Sequence, residues 1–237
     1  ILRYRAAELK AGRVNVFHRQ LTRTDRNGRL ASLVAPLVNW ACRVGNALTR
    51  PVMEWIAGIH RAAALPRFCA RTFVRRAAKE TPEVNAQAPA YCRKAVLFAT
   101  CFANYNDPGI GLDARAVLAL NGVETEVVYP GCCGMPQLEN GDIEAVAAAA
   151  EKTAAELAPW IEKGYDVIAL VSSCALMMKF EWPLILPGDK AIETLSGATF
   201  DIAEYMVDIA AKEGLADGMK PLQGGVSVHL PCHARAQ

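Results

Sequence analysis

Eight cysteines are spread over 237 residues: Cys42, Cys69, Cys92, Cys101, Cys132, Cys133, Cys174 and Cys232. That is above the usual share for a globular chain and far below a disulfide scaffold. Several lie beside Gly or Pro, in stretches that read as loops. In a cytosolic α/β chain this pattern points to metal binding or redox chemistry rather than to structural disulfides. Thiolates are soft ligands, suited to iron–sulfur clusters, zinc or Cu(I). A zinc site usually carries a tight Cys-x-x-Cys pair. Here the only close pair is the vicinal Cys132-Cys133.

The elements that must position these thiols alternate between strand and helix. Short apolar or β-branched runs at 95–100, 123–129, 167–172 and 226–230 read as strands. Helical patterns fill 112–121, 143–162 and 200–212, with Asp142 placed to cap the second. Such alternation predicts βαβ units, right-handed crossovers and a mainly parallel, Rossmann-like sheet. Cys101 then follows the first strand, Cys132 and Cys133 the second, Cys174 the third and Cys232 the fourth. Parallel strands share one carboxyl edge, which is where open α/β sheets bind ligands. Thiols far apart in sequence are thereby expected to gather in space. Gly131 and Gly134, with Pro130 and Pro136, predict a sharply bent loop around the vicinal pair. Cys42, Cys69 and Cys92 read as isolated packing cysteines.

Residues 1–90 have a different character. They read as a helical, irregular, basic region, with residues 80–92 as a linker rich in Pro and Asn. Residues 1–79 carry 16 Lys and Arg against 3 Asp and Glu, a balance of +13; residues 80–237 carry 10 against 21, a balance of −11. The split suits an anionic surface or an acidic partner, or a basic layer laid over the acidic remainder of the same molecule. Apolar runs at 30–44 and 52–64 are flanked by arginines. Neither reaches the roughly 20 apolar residues of a membrane span. They suit amphipathic helices, packed on a core or lying in a membrane interface. Their apolar character favours lipid or protein over nucleic acid as a partner. The composition is otherwise that of a soluble globular protein, 52% hydrophobic and 21% charged, which excludes large-scale disorder. The first residue is Ile1, and Gln237 comes soon after Pro231-Cys232-His233; the sequence reads as a stretch of a longer polypeptide.

The thiol pattern resembles the cysteine-rich "CCG" domain family. Its members include the B subunit of heterodisulfide reductase, the iron–sulfur subunit of lactate oxidation systems and the C subunit of anaerobic glycerol-3-phosphate dehydrogenase. The residues that carry the likeness are Cys101-Phe102-Ala103-Asn104-Tyr105-Asn106, Cys132-Cys133-Gly134-Met135-Pro136 and Ser172-Ser173-Cys174. They are most similar to the glycerol-3-phosphate dehydrogenase type. Pro231-Cys232-His233 resembles the start of a second copy of the domain. The resemblance implies that residues 91–237 form the CCG domain with the beginning of another, after a basic region at 1–90.

The resemblance implies that Cys101, Cys132, Cys133 and Cys174 hold a [4Fe–4S] cluster, that Gly131 and Gly134 shape its loop, and that Cys232 serves a second metal site. It implies an electron-transfer component without catalysis of its own. A flavoprotein dehydrogenase subunit is then the donor, and quinone or another carrier the acceptor. The expected location is cytoplasmic and peripheral on the inner face of a bacterial plasma membrane, with residues 1–79 on anionic lipid. One departure matters. The family's Cys-x-x-Cys is here Cys174-Ala175-Leu176-Met177, so four thiols stand where heterodisulfide reductases use five. Four suit an ordinary cubane cluster and favour electron transfer over disulfide chemistry. A thiol–disulfide reductase and a zinc-stabilised interaction module are the rival readings. Asn104 and Asn106 read as residues that order the first loop's turn or reach the cluster edge, and His229 and His233 as flanking Cys232 without ligating.

Overall fold

The computed structural model describes residues 1–218 and 223–236; residues 219–222 and Gln237 lie outside that description. Four strands form one parallel sheet: β1 (Lys94–Phe98), β2 (Glu124–Val128), β3 (Asp166–Ala169) and β4 (Thr199–Asp201). Their spatial order is β2-β1-β3-β4. β1 is central, and its Ala-Val-Leu-Phe run is buried throughout. A continuous apolar run is what a strand covered on both faces requires. β2 is an edge strand with Glu124 and Glu126 exposed and Thr125 buried.

Alternate residues of the strands build two cores. Val96, Phe98, Val167 and Ala169 face one, with the helix Ile143–Glu162, Trp182 and the helix Lys190–Ala198. Ala95, Leu97 and Ile168 face the other, with Phe73, Leu118 and the helix Ile202–Lys212. The result is a sheet between two helical layers, as the sequence pattern predicts.

The last strand and the last long helix differ from expectation in an instructive way. The segment 226–230 alternates like a strand, yet it pairs with none of the described strands, and Val226, Val228 and Leu230 are 69%, 76% and 60% exposed. A strand needs a partner edge, and the outer edge of β3 is taken by the three residues of β4. Those residues overlap the start of the helix expected at 200–212. The helix begins instead at Ile202, where Asp201 and Glu204 form a reciprocal capping box. The helix Ile143–Glu162 has the expected bounds, and Asp142 accepts from the Ala145 N–H.

In the basic region, short helices run over Leu2–Lys10, Val16–Leu21, Thr24–Leu33, Ala35–Cys42, Arg50–Ala57 and Phe73–Ala77. Several are bolted to the sheet domain. Arg5 donates to the Glu139 carbonyl. Asn106 Nδ2 donates to the Arg67 carbonyl at 2.8 Å, and Asn104 Oδ1 accepts from the Val74 N–H at 3.1 Å. The two asparagines therefore tie residues 67–74 to the helix Cys101–Tyr105, a long-range role in place of the expected local turns.

Candidate metal centre

In this strand order the chain leaves β1 for β2 on one side and later returns to β3 on the other. The topological switch point lies between β1 and β3, where ligands of such sheets bind. Cys101 opens the five-residue helix after β1, and Cys174 lies in the helix Ser172–Leu176 after β3. Cys132 and Cys133 lie in the loop after β2. The four expected thiols are brought to one edge.

There they lie close together. The Cys132 and Cys101 sulfurs are 3.9 Å apart. Cys133 and Cys174 are buried in the same core cluster, with Cys132 packed against it. Cys133 and Cys174 are buried, and Cys101 and Cys132 are half-buried. Hydrogen bonds from Cys101 and Cys133, helped by the Thr24 hydroxyl and the Gly134 N–H, hold Cys132 well below the ordinary thiol range. The same contact with Cys132, together with burial, pushes Cys101 and Cys133 up. Adjacent thiols behave this way because a second ionisation beside a first is opposed by its charge. Among the described residues, no three His, Cys, Asp or Glu side chains converge as they would on a single ion.

The loop carrying the vicinal pair is held from several directions. Gly134 adopts φ +86°, a left-handed conformation that suits glycine. It caps the start of the helix Met135–Glu139. Gly131 also has positive φ, at 152°. Trp182 is fully buried and its Nε1 donates to the Cys133 carbonyl at 3.2 Å. Lys152 donates to the Pro130 carbonyl.

Two residues of the basic region complete the site, and nothing in the sequence pattern singles them out. Thr24 Oγ1 donates to the Cys132 sulfur at 3.3 Å. Asp25 Oδ1 accepts from Tyr105 at 3.0 Å and from Tyr129 at 2.8 Å. Burial and then the Asp25 charge raise both tyrosine hydroxyls, Tyr105 to about 12. The one available signal is that Asp25 is a rare acid within a strongly basic segment.

The remaining candidates stand elsewhere. Cys232 is exposed and begins the short helix Cys232–Arg235. That helix packs against Ser172–Leu176, so its expected position beyond a fourth strand is replaced by one beside the Cys174 helix. His229 is exposed and His233 half-buried. Met177 lies at the expected place of a fifth thiol and is fully buried in the core. Cys69 donates to the Asn106 carbonyl at 3.4 Å, Cys42 is half-buried and Cys92 is exposed.

The parallel sheet gathers thiols from three strand ends, with Cys-Cys-Gly at the middle one. Residues 95–179 match the model of the CCG family, described as a cysteine-rich domain. The match takes in Cys101, Cys132, Cys133 and Cys174 and leaves Cys232 outside. The chain is 29% identical over 216 residues to the C subunit of anaerobic glycerol-3-phosphate dehydrogenase of Escherichia coli strain K12, covering 90% of this chain and 52% of that protein. At that coverage the likeness takes in much of the basic region too. It is also 29% identical over 147 residues to lactate utilization protein A of Bacillus pumilus strain SAFR-032, covering 59% of this chain and 58% of that protein. The chain spans about half the length of these curated relatives. No solved structure matches it.

Proposed function

We propose that this chain is the electron-transferring iron–sulfur part of a respiratory-type dehydrogenase. The observation that carries the reading is the gathering of four thiols at the switch-point edge. The donor chemistry fits a [4Fe–4S] cluster, which takes four thiolate ligands. Cys101, Cys132, Cys133 and Cys174 would hold it, and such a cluster supplies a one-electron carrier. The chain's own residues do the rest. Gly131 and Gly134 let the loop bend around the vicinal pair. Trp182 and Lys152 hold the loop's carbonyls, and the burial of Cys133 and Cys174 keeps water from half of the ligand set.

The likeness to a dehydrogenase component supports a dehydrogenase partner, and we assign a flavoprotein as donor and quinone or another carrier as acceptor. Residues 91–237 form the cluster-bearing unit and residues 1–90 the basic unit that docks it. The basic unit exposes Leu33, Leu37, Trp40 and Trp55 among its arginines. That mixture supports a peripheral position on an anionic membrane. No helix of the described residues is long and apolar enough to cross a membrane. The buried, apolar Met177 in place of a fifth thiol argues against disulfide-cleaving chemistry.

Anaerobic purification tests the reading. The protein is expected to be brown, with about four irons and four sulfides at this site. Cys133→Ser is expected to lose most of that iron while keeping its far-UV circular dichroism. A colourless protein that holds stoichiometric zinc would sink the proposal.

A further inference from the structure

Thr24 reaches a sulfur of the site from 108 positions away in the chain. Its hydroxyl donates to Cys132 at 3.3 Å. The hydroxyl has no local duty: Arg23 is the cap of the helix Thr24–Leu33, and no side-chain bond caps it. The backbone that carries Thr24 is clamped on three sides. Gln137 Nε2 donates to the Thr22 carbonyl at 2.9 Å, from the helix that follows Gly134. Asp25 takes the hydroxyls of Tyr105, which ends the Cys101 helix, and of Tyr129, which follows β2. Gly28, one turn on, lies so close to the Tyr105 ring that an added Cβ would come within 2.3 Å of it. Each loop that carries Cys101, Cys132 or Cys133 is thus tied to the same short stretch of the basic region.

Resting on the iron–sulfur reading above, we propose that Thr24 is a positioning residue that raises the reduction potential of the centre through its hydrogen bond to the Cys132 sulfur, and that the helix Thr24–Leu33 is the cap that holds it there. The physical reason is charge. Reduction adds one electron, so the sulfurs carry more negative charge in the reduced state. A donor hydrogen bond is then stronger, and it stabilises the reduced form over the oxidised one. The clamps on Thr22, Asp25 and Gly28 keep the hydroxyl aimed without reorganisation. Groups around a metal ligand that orient it in this way tune the centre strongly even though they do not touch the metal.

The test is a dithionite titration of the reconstituted protein, followed by electron paramagnetic resonance, with iron and sulfide measured in every sample. Thr24→Val keeps the shape and removes the donor; Thr24→Ala removes both; Thr24→Ser keeps the donor. Val and Ala are expected to weaken reduction about tenfold, which for a one-electron couple is about 59 mV more negative. Ser is expected to titrate with the wild type. Iron-loaded Val and Ala variants that titrate at the wild-type potential would overturn the inference and leave the cluster reading standing. Loss of iron in Val and Ala with retention in Ser would also overturn it, because the hydroxyl would then serve assembly and not potential. A wild-type protein that binds no cluster would remove the reading on which the inference rests.

Discussion

Asp25 is one of three acids among the first 79 residues, and its carboxylate takes two tyrosine hydroxyls at once. Removing it leaves the hydroxyl of half-buried Tyr129 and that of buried Tyr105 without their acceptor. Losing such a partner costs about 1–3 kcal/mol. Asp25→Ala is therefore expected to lower the urea midpoint by that amount of stability at an unchanged slope. A midpoint equal to the wild type would show that the two bonds contribute nothing net. The gathering of four thiols at one sheet edge was legible in the sequence because cysteine is scarce and each one followed a strand pattern. Thr24 and Asp25 were not, because their types are common and their partners lie about 80 to 110 positions away. Local patterning carries no trace of such contacts.

Among the elements, β1, β2, β3 and the helix Ile143–Glu162 could be read because each has a run of matching periodicity and a terminal signal. β4 could not, since three residues are too few to show a period. The segment 226–230 shows the converse: it alternates well, but strand structure is a property of a pair. One clamp at this scale gives a measurable expectation. Arg93, just before β1, is bonded to Asp208 at 2.8 Å and to Glu213 at 2.8 Å, and stacks over the Tyr205 ring at 5.3 Å. It fastens the central strand to the helix Ile202–Lys212. The pair is only partly shielded from water, so Arg93→Met is expected to cost about 1–2 kcal/mol, between exposed and buried cases. The pH dependence has a definite sign. The Lys212 ammonium and then Arg93 hold Asp208 below the usual carboxylate range. Its contribution to stability is therefore complete above the unfolded value of about 3.9 and fades as pH falls through the lower folded value. Asp208→Asn is expected to be less stable than the wild type at pH 7 and to converge with it below about pH 4. A gap that stays constant in thermal melts from about pH 3 to 7 would contradict this.

For the whole molecule, the charge split was plain in the sequence, and its meaning was not. Residues 1–79 could have formed a separate arm or a layer over the acidic part. Much of the region is a layer: Thr22, Asp25, Arg67, Cys69 and Val74 are all bonded to the sheet domain. Tertiary contacts of this kind override what composition alone indicates. Part of the layer still turns apolar side chains outward, with Leu33 64%, Trp40 51% and Trp55 86% exposed. On the membrane reading, the protein is expected to float with vesicles containing anionic lipid and to stay in solution with purely zwitterionic ones. Each basic residue near the surface adds about 1 kcal/mol, so salt at about 1 M is expected to release most of it. Trp40→Ser with Trp55→Ser is expected to weaken binding to anionic vesicles at least about tenfold. Equal flotation of the double variant would place the contact elsewhere.

The bond between Thr24 and Cys132 also fixes an order of events. A chain is made from its amino end, so the cap exists before any strand of the sheet. It has nothing to close on until the loops after β1 and β2 are formed, because its three anchors lie on residues 105, 129 and 137. Closing loops over such long spans costs more entropy than pairing β1 with β2, so the cap is expected to seat after the sheet forms. The cap is therefore synthesised before the sheet and is expected to seat after it. On the iron–sulfur proposal, the edge bearing Cys101 and Cys132 lacks its cover until the cap seats, and iron and sulfide are expected to enter in that interval.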